Sequence, residues 1–580
     1  MLYKYSKLEA LSHKDMEDFK KINISVLGDA ATQHICKAIK GDGYTKGINY
    51  NIYEAEYNQI QLIMMDPKAD LWKQKNDFVF LLMSGEMLYK RFTAIHREDR
   101  VFFAENIINE IKSYWKTICR HDSSTKIIQS NFAFINDRVF GDYSNKVQES
   151  FLFQARKLNY LLMELISDSK YGNVFILDME SIQSQYGIEQ FHDTRTYYVG
   201  KLPVSIRLLP IVADRFSQIV LSQRGQVKKC LITDLDNTLW GGVIGDDGLE
   251  NIQIGELGEG QAFSALQSWI KELKERGIII CVCSKNEENV AKKPFEEHPD
   301  MILSLDDITI FVANWEDKAS NIKMIQDTLN IGMDGIVFID DNPFERNLVR
   351  EAIPDITVPE LPEDATEYLS YLQSLNLFET ASYSEEDVKR TKQYKAEAGR
   401  KLEQGHYDKY DDYLQSLNMK AVIAPFDLFH RPRIAQLTQR SNQFNLRTIR
   451  YSEADVEFRE NSPDYITMYV TMQDKYGDYG LISVVCLQNQ GDILFVEEWL
   501  MSCRVLNRGT EELVCDAIFD VAKRLNVSKV VGEYIPTAKN KMVENLYLQM
   551  GFTDKTNGIF EANVSEYKTH KVFIEKELRV

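Results

Sequence analysis

Residues 231–241, LITDLDNTLWG, restrict the possible folds of this chain more than any other segment. The apolar run ends at Asp234 and Asp236, which are one residue apart, and Thr238 follows. A short apolar run of this kind is typical of a buried strand, so both carboxylates lie where that strand ends. Ligands of open α/β sheets bind at the carboxyl ends of the strands. The segment therefore predicts the first part of a phosphate-transfer site in an α/β domain.

Three further polar groups follow in the order that such a site requires. Ser284 comes directly after an apolar run, Lys318 stands at the start of a helical pattern, and Asp340 and Asp341 follow another apolar run. Because parallel strands end at the same edge of a sheet, we expect these side chains to meet in one crevice. The predicted strands of this region are 229–233, 278–283, 301–303, 310–311 and 335–339.

The residue types in this crevice fit phosphoryl transfer. Asp234 can attack phosphorus and form an aspartyl phosphate. Asp236 can protonate the leaving oxygen and later activate water. Thr238, Ser284 and Lys318 can hold phosphate oxygens by hydrogen bonds and charge. Crowded carboxylates repel one another, and oxygen ligands beside phosphate favour Mg²⁺ as the cation.

The motifs DLDNTLWGG, CSKN, NWEDK and FIDDNPFER resemble those of the haloacid dehalogenase superfamily, subclass IIIC, and within it the FkbH-like family. The resemblance implies that Asp234, the main-chain carbonyl of Asp236 and Asp341 bind the metal, while Asp340 pairs with Lys318. Which of the two adjacent acids contacts the metal is left open. No large insertion interrupts residues 242–275 or 286–317, so we expect an open site without a large cap.

The same resemblance implies a reaction. FkbH-like proteins move a glyceryl group from 1,3-bisphosphoglycerate to the phosphopantetheine thiol of an acyl carrier protein, with loss of phosphate. A phosphorylated three-carbon acyl donor and an acyl carrier protein are therefore the expected partners. The alternative is a Mg²⁺-dependent phosphatase or an acyltransferase in surface polysaccharide or secondary-metabolite biosynthesis. The intact four-part site disfavours a non-catalytic scaffold.

Cys283 directly precedes Ser284 and has two interpretations. Neighbouring residues of a strand face opposite sides, which favours a small core residue. The positive charges of Lys318 and a metal close to the thiol would instead favour its deprotonated, thiolate form. The substrate that the resemblance implies contains an acyl phosphate, which such a thiol could attack. Cys283 is therefore a candidate thioester nucleophile.

The chain divides into three predicted domains. Residues 1–222 and 223–375 alternate strands and helices, as in α/β domains, and the second is the Rossmann-like phosphatase domain. Residues 376–580 read as an α+β domain with a mostly antiparallel sheet. In the first domain, residues 24–30 resemble the opening block of SGNH hydrolases, but Ala30 stands at the nucleophile position. We therefore expect a degenerate, non-catalytic SGNH-like domain.

In the last domain, Arg504, Asn507 and Gly509 resemble the pyrophosphate loop of GNAT acyltransferases. Asn507 replaces the first glycine of that loop, and asparagine tolerates left-handed backbone well. Tyr547 is either a general acid or a core aromatic residue. The FkbH-like resemblance implies that this domain binds a phosphopantetheine arm.

Residues 428–452 contain five arginines and no acid, although the whole chain carries a formal charge of −19. The five are 431, 433, 440, 447 and 450. They form either a solvated face or a docking surface for an acidic carrier protein, for which Arg440 and Arg447 are the candidate contacts.

Composition excludes some partners. The net charge of −19 disfavours nucleic acid, which needs a basic surface. No run reaches the roughly 18 apolar residues of a membrane span, and the first 30 residues lack an apolar signal core. The eight scattered cysteines are typical of a reducing compartment, so we expect a cytoplasmic protein.

Overall fold

The structure is a computed structural model that describes residues 3–383, 392–397, 400, 407, 409–537 and 539–579. The chain forms two compact units. The first is Met1–Leu221 with Ser452–Asp455, and the second is Ser222–Tyr451 with Val456–Val580. The predicted boundary between residues 375 and 376 lies inside the second unit, which contains two separate sheets.

The first unit contains a five-stranded sheet in the order β2-β1-β3-β4-β5, and every neighbouring pair is parallel. Alternate residues of β3 enter two different cores, because successive side chains of a strand face opposite sides. Val79 and Leu81 join one core, while Phe78, Phe80 and Leu82 join the other. The sheet is therefore covered on both faces, as expected for an α/β domain. Its strands are β1 (Lys20–Gly28), β2 (Ile48–Glu54), β3 (Phe78–Leu82), β4 (Lys126–Ser130) and β5 (Val174–Leu177).

The helices of this first part of the chain lie before, between and after the parallel strands. They are α1 (Tyr5–Leu11), α2 (Gln33–Thr45), α3 (Ile60–Met65), α4 (Gly85–Thr93), α5 (Phe103–His121), α6 (Phe151–Ile166), α7 (Met179–Tyr186), α8 (Ile188–Phe191), α9 (Thr194–Gly200) and α10 (Leu209–Ser222).

The predicted phosphatase region contains a four-stranded parallel sheet in the order β8-β7-β6-β9. Its strands are β6 (Cys230–Thr233), β7 (Ile279–Ser284), β8 (Ile310–Ala313) and β9 (Ile336–Ile339). Its helices are α11 (Ile244–Asp247), α12 (Gly260–Glu275), α13 (Glu288–Glu297), α14 (Lys318–Leu329), α15 (Pro343–Ala352) and α16 (Tyr368–Leu375). β6 lies in the interior of the sheet, so the residues after it are flanked by the ends of β7 and β9.

The predicted strand 301–303 is wrong. The backbone N–H groups of Ile302 and Leu303 donate to Oε1 of Gln267, at 3.1 and 3.2 Å. A buried side chain from α12 thus satisfies the hydrogen bonds that a neighbouring strand would otherwise supply.

The second sheet of this unit has eight strands in the order β15-β16-β14-β13-β12-β11-β10-β17. Only the pairs β13–β14 and β10–β17 are parallel, so the prediction of a mostly antiparallel α+β domain is confirmed. Its strands are β10 (Met419–Ala424), β11 (Tyr465–Asp474), β12 (Gly477–Asn489), β13 (Ile493–Met501), β14 (Lys529–Glu533), β15 (Thr553–Thr556), β16 (Ile559–Asn563) and β17 (Ile574–Leu578). Further helices are α17 (Tyr410–Ser416), α18 (Arg431–Arg440), α19 (Glu453–Asn461), α20 (Thr510–Arg524) and α21 (Leu546–Gln549).

Across the described part of the chain, every helix is too short or too polar to cross a lipid bilayer.

Candidate active site

Three carboxylates meet at the carboxyl edge of the four-stranded sheet. Asp234 follows β6, and Asp340 and Asp341 follow β9; one oxygen of each lies within 4.8 Å of the others. The backbone N–H of Asp234 donates to the carbonyl of Ile339 at 3.0 Å, which aligns the two strand ends. The sequence motifs therefore converge in space because β6 and β9 are neighbours.

Lys318 is the cation inside this cluster. Its Nζ lies 2.9 Å from Oδ2 of Asp234 and 2.5 Å from Oδ2 of Asp340. Lys318 begins α14, and Asp317 caps that helix by accepting a hydrogen bond from the N–H of Ser320 at 2.8 Å. Burial alone would lower the pKa of Lys318, but the two carboxylates outweigh burial and raise it. Lys318 is therefore charged, and it offsets part of the negative charge of the cluster.

The arrangement leaves room for a divalent cation. Oδ1 of Asp234 is buried and has no hydrogen-bond partner. Burial and the charge of Asp234 raise the pKa of Asp340 to about 6, although Lys318 counteracts them, and they also raise the pKa of Asp341. A single lysine thus leaves three close carboxylates under-compensated, and an all-oxygen set of this kind fits Mg²⁺. Among the described residues this is the one cluster of His, Cys, Asp and Glu with a metal-binding arrangement.

The carboxylate of Asp236 is not part of that cluster, and the expected metal ligand at this residue is its main-chain carbonyl. Its Oδ1 accepts hydrogen bonds from Nε1 of Trp240 and from the N–H of Ile244, both at 3.0 Å. Its Oδ2 accepts from Nδ2 of Asn286 at 2.7 Å. Three donors thus orient a half-exposed carboxylate, which suits a group that gives and takes a proton. Sequence reasoning missed Asn286, although it is the last residue of CSKN.

Thr238 and α15 fix the loop that carries the adjacent acids. The N–H of Asp341 donates to Oγ1 of Thr238 at 3.1 Å, and that hydroxyl lies 3.3 Å from Oδ1 of Asp341. Arg346 donates to the main-chain carbonyls of Asp340 and Asp341, at 2.7 and 2.6 Å. Asn342 caps α15, as its sequence predicts, with Pro343 at the first helical position.

Ser284 and Cys283 take opposite sides of β7. Ser284 faces the site, where its hydroxyl lies 3.4 Å from Nδ2 of Asn286. Cys283 is 0 % exposed and belongs to the core beneath α14, with its Sγ 3.8 Å from the carbonyl of Lys318. Burial raises the pKa of the Cys283 thiol to about 12, and Lys318 counteracts this only in part. This enclosed, neutral thiol does not match the reachable thiolate that the nucleophile interpretation requires.

The loop before α20 differs from the predicted phosphopantetheine site. Asn507 and Gly509 have positive φ angles of 61° and 83°, as the resemblance requires. However, the N–H of Asn507 donates to Oε1 of Glu511 at 2.9 Å, so a carboxylate of the protein takes the place that a phosphate needs. Arg504 is buried and turns toward Ser502, with its Nε 3.1 Å from that hydroxyl. The structure therefore does not unite Arg504 and Gly509 in one anion site.

Tyr547 lies in the core of this domain. It is 1 % exposed, and its ring packs against Trp499, Phe552 and Phe560. A Cβ at Gly532 would lie 2.2 Å from the ring, so the tyrosine needs glycine at that position. Burial also raises the pKa of the phenol. The structure thus places Tyr547 as a core aromatic residue rather than as a general acid.

The five arginines are buried or half-buried, so they do not form the solvated face that one interpretation predicts, and carrier docking stays a prediction. Arg440 donates to the carbonyl of Ser382 at 2.7 Å. Arg447 pairs with Glu533 at 2.7 Å. Arg450 is so enclosed that burial lowers its pKa to about 10. Acids and carbonyls distant in sequence therefore hold these side chains within the domain.

Comparison with known proteins connects this site to a family. A family model described as the FkbH N-terminal domain matches residues 23–221. The crystal structure of the N-terminal part of the protein BF1531 from Bacteroides fragilis, which contains a phosphatase domain complexed with Mg, is 46% identical. The alignment covers 66% of this chain and 100% of that chain, with a TM-score of 0.63. The curated proteins give no match.

Weaker matches lie among acetyltransferases. The ribosomal-protein-S18-alanine N-acetyltransferase from Escherichia coli is 14% identical over 25% of this chain and 94% of its own, with a TM-score of 0.20. The GNAT domain of S. lividans PAT is 18% identical over 24% of this chain and 89% of its own, also with a TM-score of 0.20. At this level neither match bears on activity. The match to the Bacteroides structure spans the whole of that structure at 46% identity. Together with the family model, it establishes that this chain belongs to the FkbH-like family as a member with a phosphatase-type domain.

Proposed function

We propose that the protein is a Mg²⁺-dependent phosphatase that forms an aspartyl phosphate on Asp234. The observation that carries the proposal is the state of the Asp234 carboxylate. One of its oxygens is bound to the buried Lys318, while the other is buried without a partner beside Asp340 and Asp341. This arrangement fixes a charged nucleophile at the place where a phosphate and a cation would bind.

Asp234, Asp341 and the main-chain carbonyl of Asp236 would hold Mg²⁺, which when bound offsets the negative charge of the phosphate. Ser284 and Lys318 would bind the phosphate oxygens.

The reaction has two steps. The Asp234 carboxylate attacks phosphorus, the bond from phosphorus to the leaving oxygen breaks, and Asp236 gives its proton to that oxygen. Asp236 then removes a proton from water, which attacks phosphorus, so that phosphate leaves and Asp234 is restored. The three donors on Asp236 keep one carboxylate oriented for both proton transfers.

We further propose that the phosphatase step accompanies glyceryl loading. In this reaction the phosphopantetheine sulfur of an acyl carrier protein forms a thioester with the acyl carbon of 1,3-bisphosphoglycerate, the bond from that carbon to the phosphate oxygen breaks, and phosphate leaves with the thiol proton. The phosphatase step then hydrolyses the phosphate ester that is left on the three-carbon unit. The family supports this assignment, and the surroundings of the site are compatible with a protein-borne substrate. Trp315 lies in the loop before Lys318, and Phe344 lies in the first turn of α15, just after the Asp340–Asp341 pair; they are 77 % and 68 % exposed. Exposed aromatic side chains of this kind are typical of contact with a partner.

The test is to incubate the protein with enzymatically generated 1,3-bisphosphoglycerate, Mg²⁺ and candidate phosphopantetheinylated carriers, and to weigh the carriers. A mass gain of one glyceryl group supports loading. Phosphate release without a carrier adduct favours the alternative, a phosphatase or acyltransferase in surface polysaccharide or secondary-metabolite biosynthesis. Loss of the adduct in Cys283→Ala would assign the acyl transfer to that thiol, whereas an unchanged adduct would leave Cys283 as a core residue.

A further inference from the structure

A cavity within the second unit lies at the edge of the four-stranded sheet that is opposite to the acid cluster. Lys229 and Gly335, which directly precede β6 and β9, line this cavity. Asp234 and Asp340 instead directly follow those two strands. Because a four-residue strand rises on the order of 13 Å, a small ligand in the cavity does not reach the phosphatase site.

The cavity has a volume of about 310 Å³, which lies in the range of small-molecule sites. The eight-stranded domain closes its other side. Nδ2 of Asn330, just after α14, donates to the carbonyl of Cys503 at 3.0 Å, and both residues line the cavity. The lining also includes apolar side chains that can hold a short hydrocarbon body: Val227, Ile331, Leu437, Phe444 and Met501.

Arg504 gives the cavity a buried positive charge. The residue is 8 % exposed and lines the cavity. Its Nε donates to the hydroxyl of Ser502 at 3.1 Å and its Nη1 donates to Oε1 of Gln393, so both of these acceptors are neutral. Nη2 has no acceptor among the described residues and keeps accessible surface at the cavity. A buried charge without a counter-ion is costly, and an anion bound against Nη2 would supply the missing charge.

Asp334 is the single acid among the described residues of the lining, and it is already paired with Lys539. Burial would raise the pKa of Asp334, yet the charges of Lys539, Lys229 and Lys228 hold it below its ordinary value. Burial and, to a smaller extent, the charge of Lys539 lower the pKa of Lys228 to about 8, although Asp334 counteracts them. Three lysine charges thus act on one carboxylate. The basic residues of the lining are Lys229, Arg433, Arg440, Arg504 and Lys539.

We propose that this cavity binds a small organic carboxylate, which accepts a hydrogen bond from Nη2 of Arg504 while its hydrocarbon body packs on Phe444 and Met501. A guanidinium and a carboxylate form a strong, charge-assisted hydrogen bond. A carboxylate brings one negative charge, which matches one buried guanidinium. A doubly charged phosphate would bring more buried charge than Arg504 balances. The site lies outside the proposed phosphatase activity.

Isothermal titration calorimetry of the full-length protein without Mg²⁺ tests the proposal. The probes are sodium hexanoate, hexan-1-ol and hexylphosphonate, which share a chain and differ in the head group. We expect saturable binding that is tightest for hexanoate. Arg504→Gln should weaken hexanoate binding by about tenfold, because a charge-assisted hydrogen bond is lost. Lys539→Gln should weaken it by about threefold, since this side chain is partly exposed and screened by solvent. Arg524→Gln, the same change at an exposed arginine of α20, is the matched control.

Weaker hexanoate binding in Arg504→Gln, with unchanged binding in Arg524→Gln, supports the site. Urea unfolding shows whether Arg504→Gln is folded, and if it is not, Lys539→Gln decides between weakened and unchanged binding. Three results would each overturn the proposal: no saturable binding of hexanoate to the wild type, binding to the deciding variant as tight as to the wild type, or binding of hexanol or hexylphosphonate at least as tight as that of hexanoate.

Discussion

Lys318 is 3 % exposed and lies between the carboxylates of Asp234 and Asp340. Removing its charge leaves two buried carboxylates uncompensated. We therefore expect Lys318→Met to lower the free energy of unfolding by about 3 to 5 kcal/mol, the usual cost of breaking a buried ion pair from one side. Urea unfolding without added metal measures the loss. Lys323→Met, an exposed lysine of the same helix, should change stability little, and equal stability of the two variants would contradict this role.

Asn286 acts on the reaction through Asp236, to which it donates at 2.7 Å. Without that donor the Asp236 carboxylate loses one of its three hydrogen bonds. The rate of proton transfer should therefore fall more than the affinity for substrate. We expect Asn286→Ala to lower kcat for a small phosphate ester by about tenfold to a hundredfold, with KM nearly constant. Steady-state kinetics of this variant beside Asn251→Ala, an exposed asparagine, provide the measurement. A change confined to KM would show that Asn286 binds substrate instead.

For individual residues, the sequence predicted the site correctly where a motif lies at the end of a strand or the start of a helix. The motif residues Asp234, Lys318, Asp340 and Asp341 converge because strand order places their elements side by side. Asn286 could not be identified, because its role depends on a hydrogen bond to a residue 50 positions away. The side-chain orientation of Asp236 was unpredictable because it depends on the folded shape of its own loop, which brings the indole of Trp240 and the main-chain N–H of Ile244 to the carboxylate.

Cys283 and Ser284 are neighbours on strand β7, and their side chains face opposite sides of the sheet. The alternation of the strand turns Ser284 to the site and Cys283 to the core, where the thiol pKa is about 12. The thiol is therefore neutral at every pH well below 12. We expect iodoacetamide at pH 8 to label the half-buried Cys503 in the folded protein and to leave Cys283 unmodified, as read by peptide mass mapping. Labelling of Cys283 as fast as that of Cys503 would revive its role as a nucleophile.

Helix α18 and the segment after it show what local sequence cannot reveal. Residues 428–452 contain five arginines and no acid, so the sequence predicted a basic surface there. In the fold, Arg431 pairs with Glu457 and Glu460, while Arg447 pairs with Glu533. The partners come from other elements, and tertiary pairing therefore decides whether a basic run is a surface or a set of internal contacts.

At the scale of the whole molecule, composition and alternation were sufficient to predict three sheets of the correct kinds. They did not predict that the parallel pair β10–β17 closes the last sheet, because its strands are about 150 residues apart in sequence. The predicted domain boundary after residue 375 lies between the last strand of the four-stranded sheet and the first strand of the eight-stranded sheet.

The central claim is that phosphate passes through Asp234, and chemical trapping tests it most directly. In Asp236→Asn with Mg²⁺ and p-nitrophenyl phosphate, the good leaving group needs little acid help, but water lacks its base. The aspartyl phosphate should therefore accumulate, and borohydride should reduce residue 234 to homoserine, as read by peptide mass mapping. Asp234→Asn should give no such product and no phosphate release. Phosphate release by the wild type, with no homoserine at residue 234 in the trapped variant, would contradict the account.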